Sequence, residues 1–247
     1  MKISVTKIGC VGLIVCFALG LSSCVAPSIA PSPASDANST KTIHEDLQAI
    51  YSSMSHDGGK LYTLDPNKSS VRIFAFRSGS AAKLGHNHVL SAPKFLGYFY
   101  LPPSGTSAAR FDLEFRLDQL ELDNPAYRAS SGEAFARVIA QEAIATTRDH
   151  MLGESGFQAD QFPLVRIHSL SISGESPKFA AKVQVEIHGK NREIWIPLNV
   201  DGLPDSLAVT GSFVLRQTDF GIAPYSALGG ILAVQDEVVV EFQLHGN

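Results

Sequence analysis

The sequence predicts an all-β protein with short helical insertions, and three observations support this fold class. From Lys60 onward, apolar and polar residues alternate one by one, as they do in strands with one buried face. Between Glu133 and Met151, residues instead recur at helical spacing, which predicts one or two short helices inserted between strands. Hydrophobic residues make up 45% of the 247 residues and charged residues only 18%, which indicates a folded chain with a large apolar interior.

The first residues of the chain have the pattern of an export signal. Basic residues precede an apolar run from Ile8 to Leu21, which is shorter than the roughly 20 residues of a membrane-spanning helix. We therefore interpret residues 1–23 as a secretory signal peptide. The run ends in Leu21-Ser22-Ser23-Cys24, which resembles a bacterial lipobox. This match predicts that Cys24 is lipidated, with palmitate among its acyl chains; the alternative is an ordinary signal peptide that happens to end in this sequence.

Composition excludes several kinds of site and partner. The three cysteines, Cys10, Cys16 and Cys24, all lie near the N-terminus, so the rest of the chain has no disulfide framework and no cysteine metal site. The formal net charge is −4 at pH 7, and lysine and arginine form no cluster. We therefore expect no nucleic-acid partner.

Residues 24–59 are predicted to connect the anchor to the folded domain. The stretch from Val25 to Thr40 is rich in Ala, Pro and Ser, which is typical of an extended tether. A short amphipathic helix follows, with Thr42 and Glu45 at capping-box spacing and Asp57-Gly58-Gly59 at its end. We expect it to cover one end of the following domain rather than to bind a partner. Its predicted apolar face consists of Ile43, Leu47, Ile50, Tyr51 and Met54.

About eight or nine segments of the remaining chain have strand periodicity. A hairpin is predicted at Gly189-Lys190-Asn191. Long strands in this number are compatible with a sandwich or with a closed up-and-down barrel. The segments are Leu61 to Asp65, Ser70 to Arg77, Phe95 to Leu101, Phe111 to Leu117, Leu164 to Ser173, Phe179 to Ile187, Ile194 to Leu198, Leu207 to Arg216 and Val238 to Leu244.

The sequence lacks the common enzyme signatures. It has no dinucleotide-binding glycine motif, no P-loop, no His-Glu-x-x-His and no Gly-x-Ser-x-Gly. Asp219 precedes Phe220-Gly221, and we interpret it as the cap of a turn in which Gly221 supplies the backbone geometry. No catalytic residue is therefore predicted.

Two histidines, His86 and His88, form the sharpest polar pattern in the chain. On a strand, residues two positions apart lie on the same face, so both imidazoles could contact one metal or one ligand head group. His150 ends the helical segment and could supply a third nitrogen. Three interpretations stay open: a metal site, a polar contact at the mouth of a ligand cavity, and a purely structural role.

Several sequence blocks together resemble the YceI-like family. They occur in the family's order and extend over almost all of Lys60 to Leu244. The blocks are Tyr62-Thr63-Leu64-Asp65-Pro66, Ser69-Ser70-Val71-Arg72-Ile73, Phe162-Pro163-Leu164-Val165-Arg166-Ile167, Arg216-Gln217-Thr218-Asp219-Phe220-Gly221-Ile222 and Val234-Gln235-Asp236-Glu237-Val238-Val239-Val240-Glu241-Phe242.

The resemblance implies an extended lipocalin-like, eight-stranded antiparallel barrel over residues 60–247. In that family the elongated apolar interior holds polyisoprenoids or other long-chain amphiphiles. The His86-Asn87-His88 segment, the added helix and the lipid anchor are not shared by all members, so the ligand here could differ. From the alternation of the strands, the predicted wall residues are Phe111, Leu113, Phe115, Phe179, Val183, Val185, Ile196, Phe213, Val240 and Phe242.

The leading functional hypothesis is a non-catalytic periplasmic lipoprotein that binds or carries an isoprenoid-like lipid. We expect no cofactor apart from this lipid, and the membrane as partner through the anchor. Val25 after Cys24 favours the outer membrane over the inner one. The alternatives are a metal-binding or redox-linked envelope protein using His86 and His88, and a structural envelope module. The oligomeric state stays open, with a homodimer among the possibilities.

Overall fold

A computed structural model describes residues 47–247 of the chain, and of Ser55 only the backbone. The predictions for the signal peptide, for lipidated Cys24, for the tether and for the helix cap at Thr42 lie outside the described residues. Among the described helices, none has the length and apolar composition needed to cross a membrane.

Long antiparallel strands dominate the described structure, as the period-two pattern predicts. The described chain also contains three α-helices: α1 covers 47–54 and precedes the strands, α2 is Pro125–Ser130 and α3 is Gln141–Leu152. The strands are β1 (Lys60–Thr63), β2 (Ser70–Ser78), β3 (His88–Ser91), β4 (Leu96–Leu101), β5 (Arg110–Arg116), β6 (Glu121–Leu122), β7 (Leu164–Glu175), β8 (Lys178–Ile187), β9 (Lys190–Asp201), β10 (Leu207–Arg216), β11 (Ser226–Ala227) and β12 (Leu232–Gly246).

The strands form one antiparallel sheet in the order β1-β4-β5-β7-β8-β9-β10-β12-β2-β3-β6, with β11 paired to β12. Neighbours from β7 to β10 are also consecutive in sequence, so short turns join them. The predicted hairpin joins β8 to β9, where Ile187 pairs with Lys190. Both turn residues have left-handed backbones, His188 with φ 54° and Gly189 with φ 67°. This two-residue turn matches the right-handed twist of the strands. The hairpin prediction is confirmed, but the turn residues are His188 and Gly189, since Lys190 and Asn191 already belong to β9.

Hydrogen bonds between β12 and the end of β1, the first strand in this order, close the sheet into a barrel. Leu64, directly after β1, bridges Gly246 of β12. Thr63 and Asn247 exchange two backbone hydrogen bonds of 3.1 Å, and the Asp65 amide donates to the His245 carbonyl at 2.8 Å. β12 thus joins β10 to β1, and the predicted eight-stranded antiparallel barrel is confirmed. Where β1 meets β12, the ring consists of β1, β4, β5, β7, β8, β9, β10 and β12. Between Ala233 and Gln243, β2 is the neighbour of β12 on that flank and also lines the interior.

Helix α1 packs on the outer face of β1 and β4 rather than on an end of the barrel. Tyr51 stacks on Tyr98 with ring centroids 5.2 Å apart, and its hydroxyl donates to Asp112 Oδ2 at 2.6 Å. Burial and the Asp112 carboxylate raise the pKa of Tyr51 well above its ordinary value. Leu47 and Met54 join this contact, whereas Ile50 is 49% exposed, so its predicted place on the buried face is wrong.

One helical insertion agrees with the prediction, and another was not anticipated. The segment from Glu133 to Met151 contains a 3₁₀ turn at Glu133–Phe135 and the separate helix α3, which agrees with the one or two short helices predicted there. Helix α2 was not anticipated, although Asn124 caps it by accepting from the Ala126 amide at 3.0 Å and Pro125 occupies its first turn. This Asn-Pro pair is a common helix start.

The turn at Asp219 has a different cap from the one predicted. Gly221 has the expected left-handed backbone, with φ 71°. The carboxylate that binds this turn belongs to Asp236, which accepts from the Thr218 amide at 2.8 Å and from the Thr218 hydroxyl at 2.6 Å. Asp236 lies on β12, so only the tertiary fold brings it to this turn.

Candidate functional site

An internal cavity of about 850 Å³ lies inside the barrel. Inward-facing side chains of most strands line it, because alternate residues of each strand face the interior. The lining side chains are mainly Leu, Ile, Val and Phe. Among the described residues, Arg216 is the only Asp, Glu, Lys or Arg that lines the cavity, and its guanidinium pairs with Asp236 at 3.1 Å.

Nine of the ten predicted wall residues line this cavity, and Val183 does not. Val183 is fully buried in the packed part of the core, two residues before Val185, which does line the cavity. Alternation separates inward from outward positions. It contains no information on which inward positions face empty space and which face other side chains.

Helix α3 lies over one end of the cavity. Five residues of α3 line the cavity, namely Ala143, Thr146, Thr147, His150 and Met151. The His150 ring stacks on Tyr225, another lining residue, with centroids 5.4 Å apart and an angle of 19°. The contact joins the end of α3 to the loop before β11. We call this end of the barrel the mouth.

Three further connections surround the mouth: the one between β11 and β12, the one between β2 and β3, and the one between α2 and α3. Hydrogen bonds link each of them to the next. The Val234 amide donates to the Tyr225 carbonyl, and the Ala81 amide donates to the Ile231 carbonyl. Asn87 Nδ2 then donates to the Ala134 carbonyl at 3.2 Å. The loops therefore form a rim that begins and ends at α3. Large apolar side chains on this rim are exposed to solvent, namely Leu84 (72%), Val138 (88%) and Leu228 (72%).

A buried ionic cluster lies beside the cavity at the mouth. His88, the first residue of β3, lines the cavity, and its Nδ1 lies 2.6 Å from Asp123 Oδ2. The Asp123 side chain is 0% exposed and also accepts from the Val89 amide at 3.1 Å and from Arg128 Nη1 at 2.5 Å. Burial alone would raise the pKa of Asp123, but these hydrogen bonds outweigh it and lower the pKa. The carboxylate is therefore ionised at neutral pH.

Arg128 of α2 connects this cluster to the rim. Its Nη1 also donates to the Asn87 carbonyl at 2.8 Å, and its Nη2 donates to the Arg137 carbonyl at 2.9 Å. Sequence reasoning missed both Asp123 and Arg128. Their only local signal is the helix start at Asn124-Pro125, which positions Arg128 but does not show that its side chain is buried.

The three histidines singled out from the sequence do not form one ligand set. His86 precedes β3, so the alternation rule does not apply to it, and its ring centroid lies 6.3 Å from that of His88. Burial, followed by the nearby Arg137, lowers the pKa of His86. His88 and His150 line the cavity, whereas His86 does not. Within residues 47–247, no group of three or more His, Cys, Asp and Glu side chains could hold a metal ion.

The solved structures that resemble this chain include proteins from three organisms. BcnA of Burkholderia cenocepacia is 15% identical with a TM-score of 0.54, over 74% of this chain and 99% of that one. A polyisoprenoid binding domain from Saccharophagus degradans, implicated in plant cell wall breakdown, is 14% identical with a TM-score of 0.49, over 76% and 99%. The YceI protein of Campylobacter jejuni is 11% identical with a TM-score of 0.46, over 64% and 84%.

A comparison with curated proteins gave no match. The family model that describes the YceI-like domain matches residues 62–245, which include every strand of the closed ring at least in part. Since this match extends over most of the chain, the protein belongs to the YceI-like family.

Proposed function

We propose that this protein is a non-catalytic lipoprotein of the bacterial periplasm that binds or carries a long-chain, isoprenoid-like lipid inside its barrel. The observation that supports the proposal most directly is the internal cavity of about 850 Å³. This volume is within the range of small-molecule sites, which extends from about 300 to 1,000 Å³.

The lining chemistry favours an apolar chain over a polar solute. Burial of each CH₂ group contributes about 0.8 kcal/mol, so a long hydrocarbon tail would gain affinity along its whole length. A charged solute would find few partners, because Arg216 is already paired with Asp236. The exposed apolar rim residues Leu84, Val138 and Leu228 add a surface compatible with lipid transfer through the mouth.

Lipid extraction tests the proposal directly. The full chain is purified without added lipid, denatured and extracted, and the extract is analysed by mass spectrometry. We expect a long-chain prenyl lipid in near-stoichiometric amount, or uptake of added geranylgeraniol by the emptied protein. A protein that contains no lipid and takes up none would contradict the proposal.

A matched pair of variants on β10 tests whether the lipid occupies the cavity. Val209→Trp places a large side chain in the cavity, because Val209 lines it, and should reduce geranylgeraniol uptake. Val214→Trp is the control, because Val214 lies on the same strand with 56% of its surface exposed. Equal uptake by both variants, each folded by circular dichroism, would place the lipid elsewhere.

The anchor is part of the same proposal and has its own test. We infer that Cys24 carries the lipid that holds the domain at the membrane, with the outer membrane favoured over the inner one. Cys24→Ser should move the protein from the membrane fraction to the soluble periplasm and remove the acyl mass. Unchanged membrane association would contradict lipidation at Cys24.

The alternative functions receive no specific support from the site. The histidines His86, His88 and His150 are not assembled as metal ligands in the described part of the chain. A purely structural module would not need an apolar cavity of this size, because empty apolar volume reduces stability.

A further inference from the structure

We infer that His88 is the head-group contact of the cavity ligand, and that the head group it selects is an uncharged hydroxyl, as in a prenol or a quinol. This inference rests on the proposed function, because it concerns a ligand in the same cavity. It specifies the head group at the polar end of that ligand and the residues that select this head group.

His88 has one ring nitrogen left for a ligand. The side chain lines the cavity, and Asp123 binds its Nδ1 at 2.6 Å. No residue in the described range 47–247 hydrogen-bonds its Nε2. Two hydroxyls of α3 in the wall have already used their protons: the Thr146 hydroxyl donates to the Glu142 carbonyl and the Thr147 hydroxyl to the Ala143 carbonyl.

Asp123 determines whether Nε2 of His88 donates or accepts a hydrogen bond. Its carboxylate has no proton to donate, so the hydrogen bond with His88 needs the imidazole proton on Nδ1. In the neutral ring Nε2 then has a lone pair and accepts a hydrogen bond. The Val89 amide and Arg128 hold the carboxylate in place, which fixes this tautomer. A ligand with an O–H group is therefore the complementary partner.

The charges around His88 favour an uncharged head group. Arg128 compensates the charge of Asp123, with Nη1 2.5 Å from Oδ1. Arg216, the one Arg or Lys in the described cavity wall, pairs with Asp236. His150, the other lining imidazole, stacks on Tyr225 at the mouth. Arg137 lies near His86 but does not line the cavity. A diphosphate placed at His88 would thus find no unpaired Arg or Lys in the described cavity wall, and burial of an uncompensated anion is unfavourable.

Three ligands with one tail separate the head-group chemistries. Geranylgeraniol has a hydroxyl, its methyl ether lacks the proton, and geranylgeranyl diphosphate is anionic. Titration of the full chain after lipid removal should give an affinity about 3- to 10-fold higher for the alcohol than for the ether, as one hydrogen bond provides. The diphosphate should bind more weakly than the alcohol. A quinol and its quinone of similar tail length form the second arm, and a quinol tighter than geranylgeraniol would identify a quinol as the source of the hydroxyl.

His88→Asn tests the assignment to Nε2. The Asn amide retains a donor near the position of Nδ1 for Asp123 but has no atom at the position of Nε2. The variant should lose the preference for alcohol over ether while binding the ether as the wild type does. Thermal unfolding without lipid shows whether it is folded. If it is not, the preference of the wild type for the alcohol still decides the inference.

Three outcomes would overturn the inference: equal affinity of the wild type for alcohol and ether, a tighter diphosphate, or a preference for the alcohol that survives in folded His88→Asn. Each of these leaves tail binding, and hence the proposed function, intact. If none of the ligands binds the wild type, the proposed function fails as well, so the two failures are distinguishable.

Discussion

Arg128→Met tests how strongly the buried cluster stabilises the mouth of the barrel. The substitution removes the guanidinium but retains a chain of similar length and leaves Asp123, whose side chain is 0% exposed, without its cation. Removal of one partner from a buried ion pair typically destabilises a protein by about 3–5 kcal/mol, because the other charge stays buried. For a domain of this size, the fall in Tm should be roughly 6–20 °C.

The size of this loss should depend on pH. Hydrogen bonds from His88, the Val89 amide and Arg128 lower the pKa of Asp123 in the folded state, against the opposing effect of burial. A carboxylate of this kind stabilises the fold above its unfolded pKa of about 3.9, and the contribution is lost as the pH falls through the folded pKa. The difference between wild type and Arg128→Met should therefore be largest near neutral pH and shrink below roughly pH 4.

Urea unfolding followed by circular dichroism, from neutral to acid pH, measures this difference. Lys182→Met is the matched control, because Lys182 and Glu193 form a 2.5 Å ion pair whose side chains are 35% and 54% exposed. An exposed pair of this kind contributes about 0–1 kcal/mol. A loss for Arg128→Met no larger than that of the control, or one that does not change with pH, would refute the reasoning.

Two further substitutions test the packing around the barrel. Tyr51→Phe removes the hydroxyl that donates to the Asp112 carboxylate at 2.6 Å, so it should destabilise the protein by about 1.5–3 kcal/mol in thermal unfolding. The control Tyr98→Phe retains the ring stacking and should have a smaller effect. Equal effects of the two variants would contradict this role of the hydrogen bond. Gly211→Ala would place a Cβ 2.5 Å from Phe242 Cζ and 2.9 Å from the Pro197 carbonyl oxygen. The substitution should therefore destabilise the fold by about 1–3 kcal/mol and displace the Phe242 ring, which lines the cavity, into the cavity. Unchanged unfolding and unchanged geranylgeraniol affinity together would contradict that packing.

The local part of the fold could be predicted from the sequence. In β8, every second residue from Phe179 to Ile187 is buried, as its alternation predicts. Helix α1 contains the expected apolar residues, but Ile50 is exposed because only a narrow stripe of the helix contacts β4. A hydrophobic pattern shows which side chains need burial, while the shape of the partner surface determines which of them achieve it.

The site could be predicted only in part, because it depends on contacts between distant segments. His88 was singled out by its spacing from His86, yet its partner is Asp123, 35 residues later. The burial of Arg128 also has no local signal, since it results from packing against the carbonyls of Asn87 and Arg137. Charged residues are usually exposed, so their burial becomes visible only in the tertiary structure.

The bridge between Leu64 and Gly246 has a consequence for how the chain folds. One flank of β12 pairs with β10, and the other pairs with β2 and with the residues after β1. The inner faces of these neighbouring strands therefore stay exposed to solvent until β12 pairs with them. Contacts between such distant segments of the chain form slowly. A chain interrupted before β12 would expose both the apolar interior and unpaired strand edges, which promote aggregation. Folding of the barrel is thus completed only when both ends of the domain are present together.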